Sequence, residues 1–153
     1  MIRSFLIGLA AGARSMTPLA AVSDAAKSGA LPRDNGAPSW LGHPLVASAT
    51  KLLAAGELAG DKMKSAPDRI VPAGLAARAV TAGIAGAALA PRDKRYAGAL
   101  LGATAAIAAS YVTFHLRMKA LRRYGQTPTG VVEDALTVAA TQAVLLGAGP
   151  RRV

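Results

Sequence analysis

Residues 96–116, YAGALLGATAAIAASYVTFHL, contain no Asp, Glu, Lys or Arg; Arg92, Lys94 and Arg95 precede them and Arg117, Lys119, Arg122 and Arg123 follow. A helix needs about 20 predominantly apolar residues to cross the hydrocarbon core of a bilayer. Basic side chains at both ends of such a stretch sit at the level of anionic lipid headgroups. The segment therefore reads as a membrane span and sets the template for the rest of the chain.

Working outward, residues 70–90 repeat the pattern with one internal charge, Arg78, between Pro67-Asp68-Arg69 and Pro91-Arg92-Asp93. Residues 135–150 do so after an acidic entry, Glu133-Asp134, where carboxylates favour the positive end of a helix. Residues 44–60 are apolar except for Lys51 and Glu57, and span only if those charges face protein or water. Residues 2–26 start as FLIGLAAGA, then meet Arg14, Ser15, Thr17 and Pro18 before LAAV resumes. Proline removes a donor and clashes with the preceding turn, so a break is expected near Thr17-Pro18, giving a discontinuous helix or a re-entrant hairpin. A cleaved signal peptide is the other reading, but no small-residue cleavage site follows an unbroken apolar core. Residues 28–43, rich in Gly, Pro, Asp and Asn, form the longest connection, with Trp40 at an interfacial position. The expected fold is all-α: a polytopic membrane helical bundle of four or five segments, the first broken or re-entrant, in one transmembrane domain over residues 1–153.

Composition supports this reading. The chain is 52% hydrophobic and only 17% charged, with a mean hydropathy of +0.34, against about 25% charge in ordinary soluble domains. A soluble Ala-rich helical bundle is the alternative; disorder is excluded by the apolar content. With no cysteine, disulfides, thiolate metal sites and a cysteine nucleophile are excluded. Two isolated histidines, His43 and His115, argue against a histidine metal centre, and the metal question otherwise stays open. The net charge of +10 sits at segment ends, without the aromatic platforms of a nucleic-acid groove, so no nucleic acid is expected. No G-x-S-x-G, Walker A, H-E-x-x-H or dinucleotide glycine motif is present, so neither an enzyme nor a cofactor is expected.

Gly8/Gly12, Gly56/Gly60 and Gly98/Gly102 are small-x-x-x-small pairs that allow close helix contact and predict a homo-oligomer. Counted over five spans, Arg3, Lys62, Lys64, Arg69, Arg117, Lys119, Arg122 and Arg123 share one side, against seven bases on the other. That balance leaves orientation open and admits an antiparallel dimer.

Charges inside apolar segments carry the functional signal, because each is costly in hydrocarbon unless paired or hydrated. Four groups qualify: Arg14 with Thr17, Glu57 with Asp61 and Lys62, Arg78 with Thr81, and Glu133 with Asp134. Glu57 and Asp61 share a helix face at i, i+4 and could hold a cation or proton, while Asp61 could instead pair with Lys62. Arg14 and Arg78 are natural partners for the carboxylates, in a functional centre or a purely structural pair. The R-x-x-T pattern recurs at Arg14–Thr17 and Arg78–Thr81, as an internal repeat or by coincidence.

GLAAGARSMTPLAA, GELAGDKMKSAPDRIVP with AARAVTAGIAGAAL, and VVEDALTVA together resemble the bacterial domain of unknown function 4126 family, over most of the chain. Its R-S-x-T-P break matches Arg14, Ser15, Thr17 and Pro18; its G-E-x-x-x-D-K-x-x-x-x-P turn matches Gly56, Glu57, Asp61, Lys62 and Pro67; its late E-D pair matches Glu133 and Asp134. The resemblance implies a small multi-pass membrane protein and supplies no substrate. GELAGDK is also similar to the E-x-G-D-K motif of a cation/proton exchanger family, with the Glu-to-Asp spacing one residue longer. The expectation is a multi-pass protein of the bacterial inner membrane, in contact with membrane lipid, that binds or transports a small solute, ion or lipid headgroup through Arg14, Thr17, Glu57, Asp61, Lys62, Arg78, Glu133 and Asp134. A non-transporting scaffold or partner subunit is the alternative.

Overall fold

A computed structural model describes residues 1–60 and 70–147, and every regular element among them is helical. Six α-helices follow in order: α1 (Ile2–Ala13), α2 (Met16–Lys27), α3 (Pro44–Gly60), α4 (Pro72–Ala88), α5 (Arg95–Tyr124) and α6 (Gln126–Leu146). Short 3-10 turns at Ser39–Gly42 and Arg92–Lys94 lead into α3 and α5. Among the described residues, two helical stretches, Arg92–Tyr124 and Gln126–Leu146, are long and apolar enough to cross a membrane. The expected apolar stretches all fall on helices, with shifted ends: α5 runs two turns past Leu116, and α6 starts nine residues before Ala135.

The centre is α5, with α1 and α4 packed along it. Gly8 meets Gly102 and Ala105, and Gly12 meets Ala106 and Ala109, so α1 runs parallel to α5. Gly86 meets Gly98 and Gly102, so α4 runs antiparallel. A Cβ built at Gly12 would lie 2.9 Å from the Ala106 carbonyl oxygen, and one at Gly102 would lie 3.1 Å from the Ala82 carbonyl carbon. Two expected glycine pairs thus sit at helix contacts. The third does not: among the described residues, nothing lies within 4 Å of a Cβ built at Gly56 or Gly60.

The chain folds back at residues 14–15. Ser23 Oγ donates to the Leu41 carbonyl (2.6 Å), and residues 34–36 are tied to the α4–α5 junction by Gly36 N–H to Ala90 O (2.8 Å) and Arg92 N–H to Asp34 O (2.7 Å). The end of α2 therefore returns to the end of the bundle where α1 begins. Ile7, Leu19, Val22, Leu31, Leu41 and Leu89 close that end as an apolar cluster. Two glycines make the reversals. Gly29 (φ +69°) ends α2 in a Schellman turn, with Ala30 N–H on Ala25 O and Gly29 N–H on Ala26 O. Gly125 (φ +82°, ψ 174°), in a region open essentially to glycine alone, joins α5 to α6.

Helix α3 returns antiparallel to α2, with Lys51 Nζ 2.5 Å from Asp24 Oδ1 near one end and Glu57 at the other. Because α1–α2 is a hairpin, Arg3 shares an end with Lys27, Arg33, Arg92, Lys94 and Arg95, opposite Arg117, Lys119, Arg122 and Arg123. That corrects the five-span count, which put Arg3 with the second group.

Burial is inverted relative to a soluble bundle. Arg14 is the largest of the fully buried side chains, while most other buried residues are Ala, Gly, Ser or Thr. Leu45, Leu52, Leu100, Leu136 and Leu146 are each at least 66% exposed. Single exposed leucines mean little. Long apolar side chains facing outward on α3, α5 and α6 together, around an interior built mainly of small residues with Arg14 and Arg78 among them, are another matter.

Candidate functional site

The site grows from the break in the first segment. It falls at Arg14 (φ −140°, ψ 115°) and Ser15, not at Thr17-Pro18 as the sequence suggests. The reason is steric: a proline ring clashes with the carbonyl four residues earlier, and four before Pro18 is Arg14. Pro18 itself is the third residue of α2, where no intrahelical acceptor awaits its missing N–H.

A break leaves carbonyls at the end of α1 and N–H groups at the start of α2 without helical partners. Neighbouring helices supply them. Ser110 Oγ (3.4 Å) and Thr113 Oγ1 (3.3 Å) of α5 reach the Gly12 carbonyl, sharing their single protons with the Ala106 (2.7 Å) and Ser110 (3.2 Å) carbonyls of their own helix. Glu57 of α3 serves the other side: one carboxylate oxygen accepts from Ser15 N–H and Ser15 Oγ, the other from Met16 N–H, all at 2.8 Å. The carboxylate lies at the positive end of α2 and the Arg14 guanidinium follows the negative end of α1, both favourable.

Arg14 is 2% exposed, with Nε 2.7 Å and Nη2 2.5 Å from Asp134 Oδ1 of α6. The adjacent Glu133 points about 100° away around the helix and accepts from Arg117 Nη1 of α5 at 2.8 Å. Both pairs are largely buried, so α6 is held to the α1 tip and to α5 by two ion pairs on consecutive residues. Glu133 and Asp134 lie inside α6, which begins at Gln126, so they do not open that helix as the sequence reading expects.

Arg78 is 7% exposed within α4; its Nη1 donates to the Gly74 carbonyl (3.2 Å), and Thr81 Oγ1 donates to the Arg78 carbonyl (3.3 Å). With Ala82 against Gly102, Arg78 stands one turn further along, near the height of Ala106, where Gly12 also packs. Thr17 Oγ1 is buried with no hydrogen-bond partner among the described residues. Asp61 and Lys62 lie outside the described residues.

The break thus gathers Arg14, Glu57 and Asp134, with Thr17 in the first turn beyond it, Glu133 alongside on Arg117, and Arg78 at similar height on α4. The two R-x-x-T matches occupy different local structures, a break and a helix interior. Sequence reasoning missed Ser110, Thr113 and Arg117, and named Ser15 at the break without giving it a place in the site. The hydroxyls at positions 110 and 113, one turn apart within an otherwise apolar span, were a legible signal. Arg117 read as a headgroup anchor, because pairing with an acid on the next helix leaves no mark in spacing. Among the described residues, no group of three His, Cys, Asp or Glu is placed to hold a metal ion. Chemically, the arrangement is a low-exposure polar layer in which Arg14 and Arg117 pair with Asp134 and Glu133 while Glu57 caps α2. Comparison with protein-family models, curated proteins and solved structures found no match to this chain.

Proposed function

We propose that the chain is a polytopic protein of the bacterial inner membrane, with α3 to α6 as spans and α1–α2 as a re-entrant hairpin, and that it binds or conducts a small ion or polar solute at the hairpin tip. The observation that carries this reading is the helix break with Arg14, Glu57 and Asp134 around it, inside a bundle that exposes many leucines and valines. The twelve residues of α1 reach about 18 Å, past the midplane of a hydrocarbon core about 30 Å thick. Discontinuous helices at that depth are where transporters place their sites, since half-helix ends offer free dipoles and backbone groups. A homo-oligomer belongs to the same proposal, because the small-residue helices present flat outer faces.

The test is flux into proteoliposomes containing the purified chain, with a proton-sensitive dye and labelled monovalent cations as probes. Flux above empty liposomes that falls in Glu57→Gln supports the reading. Wild-type flux equal to that of empty liposomes overturns it. A scaffold role is the second reading, favoured by one observation: Arg14, Glu57, Arg117, Glu133 and Asp134 all have protein partners. It predicts no flux together with co-purification of a stoichiometric membrane partner.

A further inference from the structure

A second site lies apart from the hairpin tip. Helices α5 and α6 diverge on the outer side of α1 and leave an open groove of about 910 Å³. Its apolar part is formed by Leu6 and Leu9 of α1, Leu116 of α5, and Leu136, Ala140 and Val144 of α6. At the other end Tyr124, Pro128 and Thr129 line it, with the Arg117–Glu133 pair between the two regions.

The groove is itself amphipathic along the membrane normal. The uncharged stretch of α5, residues 96–116, spans about 31 Å and fills a hydrocarbon core by itself. The eight residues 117–124 then project about 12 Å beyond it, into the headgroup layer. The Tyr124 end of the groove therefore lies among headgroups and the Val144 end among acyl chains. At the headgroup end Arg117 lines the groove in its pair with Glu133, and the Arg123 guanidinium sits 5.5 Å from the ring centroid of Tyr124, itself a lining residue. Glu133 and Asp134, the nearby acids, are engaged with Arg117 and Arg14.

From Pro128 to Val144 the groove runs about 24 Å along α6, longer than the acyl layer of one leaflet, about half of a 30 Å hydrocarbon core. An apolar wall at acyl depth with a guanidinium at headgroup depth matches the two parts of a phospholipid.

We propose that this groove seats an acyl chain of one anionic phospholipid, with the phosphate at the Arg123–Tyr124 end. The inference rests on the membrane reading above but not on solute transport. A bound lipid would wedge α5 and α6 at their divergence, filling with hydrocarbon the space that side chains leave open.

Native mass spectrometry of the chain, extracted in mild detergent from membranes containing phosphatidylglycerol and phosphatidylethanolamine, tests it. One retained phospholipid per chain is expected, with phosphatidylglycerol favoured. Ala140→Trp fills the exposed groove wall and should remove that lipid while leaving helical circular dichroism unchanged; Ala143→Phe serves if the first variant misfolds. Arg123→Gln should keep the lipid but weaken the preference for phosphatidylglycerol over phosphatidylethanolamine by about fivefold, the contribution of one basic residue at an anionic surface. Lipid retention unchanged in both groove-filling variants overturns the proposal. So does a disulfide between Ala140→Cys copies at high yield, which would put a second copy in the groove. A chain that carbonate washing strips from membranes refutes the membrane reading, whereas an integral chain retaining no lipid refutes only the groove.

Discussion

Replacing Asp134 with Asn removes the carboxylate charge that faces Arg14 and keeps nearly the same volume. Arg14 is 2% exposed, and the Asp134 side chain is 14% exposed, so water cannot take over the lost interaction without opening the bundle. Removing one partner of a buried ion pair costs about 3–5 kcal/mol, because the other charge stays desolvated. The modest exposure of Asp134 and the ability of Asn Oδ1 to accept one bond place the expected loss near 3 kcal/mol, about a hundredfold in the folded-to-unfolded ratio. Arg14→Met combined with Asp134→Leu removes the buried charge altogether and should recover most of that loss, since apolar replacement of a whole pair is often neutral or stabilising. Reversible unfolding in mixed micelles, followed by circular dichroism of Arg14→Met, Asp134→Leu and the two combined, measures the coupling. A loss under about 0.5 kcal/mol for Asp134→Asn, or additive single losses in the cycle, would show that the pair is not the buried contact described here.

Three further outcomes follow from the same contacts. Glu57→Ala should cost about 2 kcal/mol in the same unfolding assay, as capping losses do, and Glu57→Gln about half of that, because its amide oxygen still accepts one of the Ser15 or Met16 N–H bonds; equal stability of all three chains would refute the cap. Gly102→Val drives a branched side chain into Ala82 and Gly86 and should cost about 1–3 kcal/mol, whereas Gly56→Ala meets open space and should gain about 0.5–1 kcal/mol; equal melting temperatures for the two would break the packing argument. Ile107→Lys, halfway along the uncharged stretch of α5 and exposed, should lower membrane insertion by about 2.5–3.5 kcal/mol in a glycosylation-mapping assay, while an exposed Ile→Lys change on a water-facing helix stays within about 0.5 kcal/mol.

How much of this was legible depends on the distance over which each feature is determined. Helices announced themselves because apolar runs and the Gly/Pro punctuation between them are local: residues 44–60 coincide with α3, and Pro18 signalled a break. The break was misplaced by three residues because the clash acts one turn upstream of the proline, on the Arg14 carbonyl. Gly8/Gly12 and Gly98/Gly102 were recognisable as contact surfaces, yet nothing in spacing separated them from Gly56/Gly60, since a small-residue pair carries no record of whether a helix lies opposite. Partner choice was the least legible part. Glu57 looked like a match for an arginine and instead binds backbone, a role set by where α3 ends relative to α2. Asp134 and Glu133 looked like one acidic group, but a 100° step between them sends one to Arg14 and the other to Arg117.

The break itself argues that stability is not what retains these charges. An uninterrupted apolar helix would satisfy its own backbone, whereas this one enlists Ser110, Thr113 and Glu57 to cap its two ends and places Arg14 deep in the bundle. A buried ion pair, at best, roughly offsets its own desolvation, so the device adds no stability over hydrophobic packing, and the charges serve either the geometry of the hairpin or a solute site. Arg14→Met with Asp134→Leu decides the point, because it is expected to fold. If the double variant keeps wild-type stability but abolishes flux in proteoliposomes, the pair belongs to the transport site. If it keeps both, the polar layer is only scaffolding for the hairpin, and the solute-binding proposal fails at its centre.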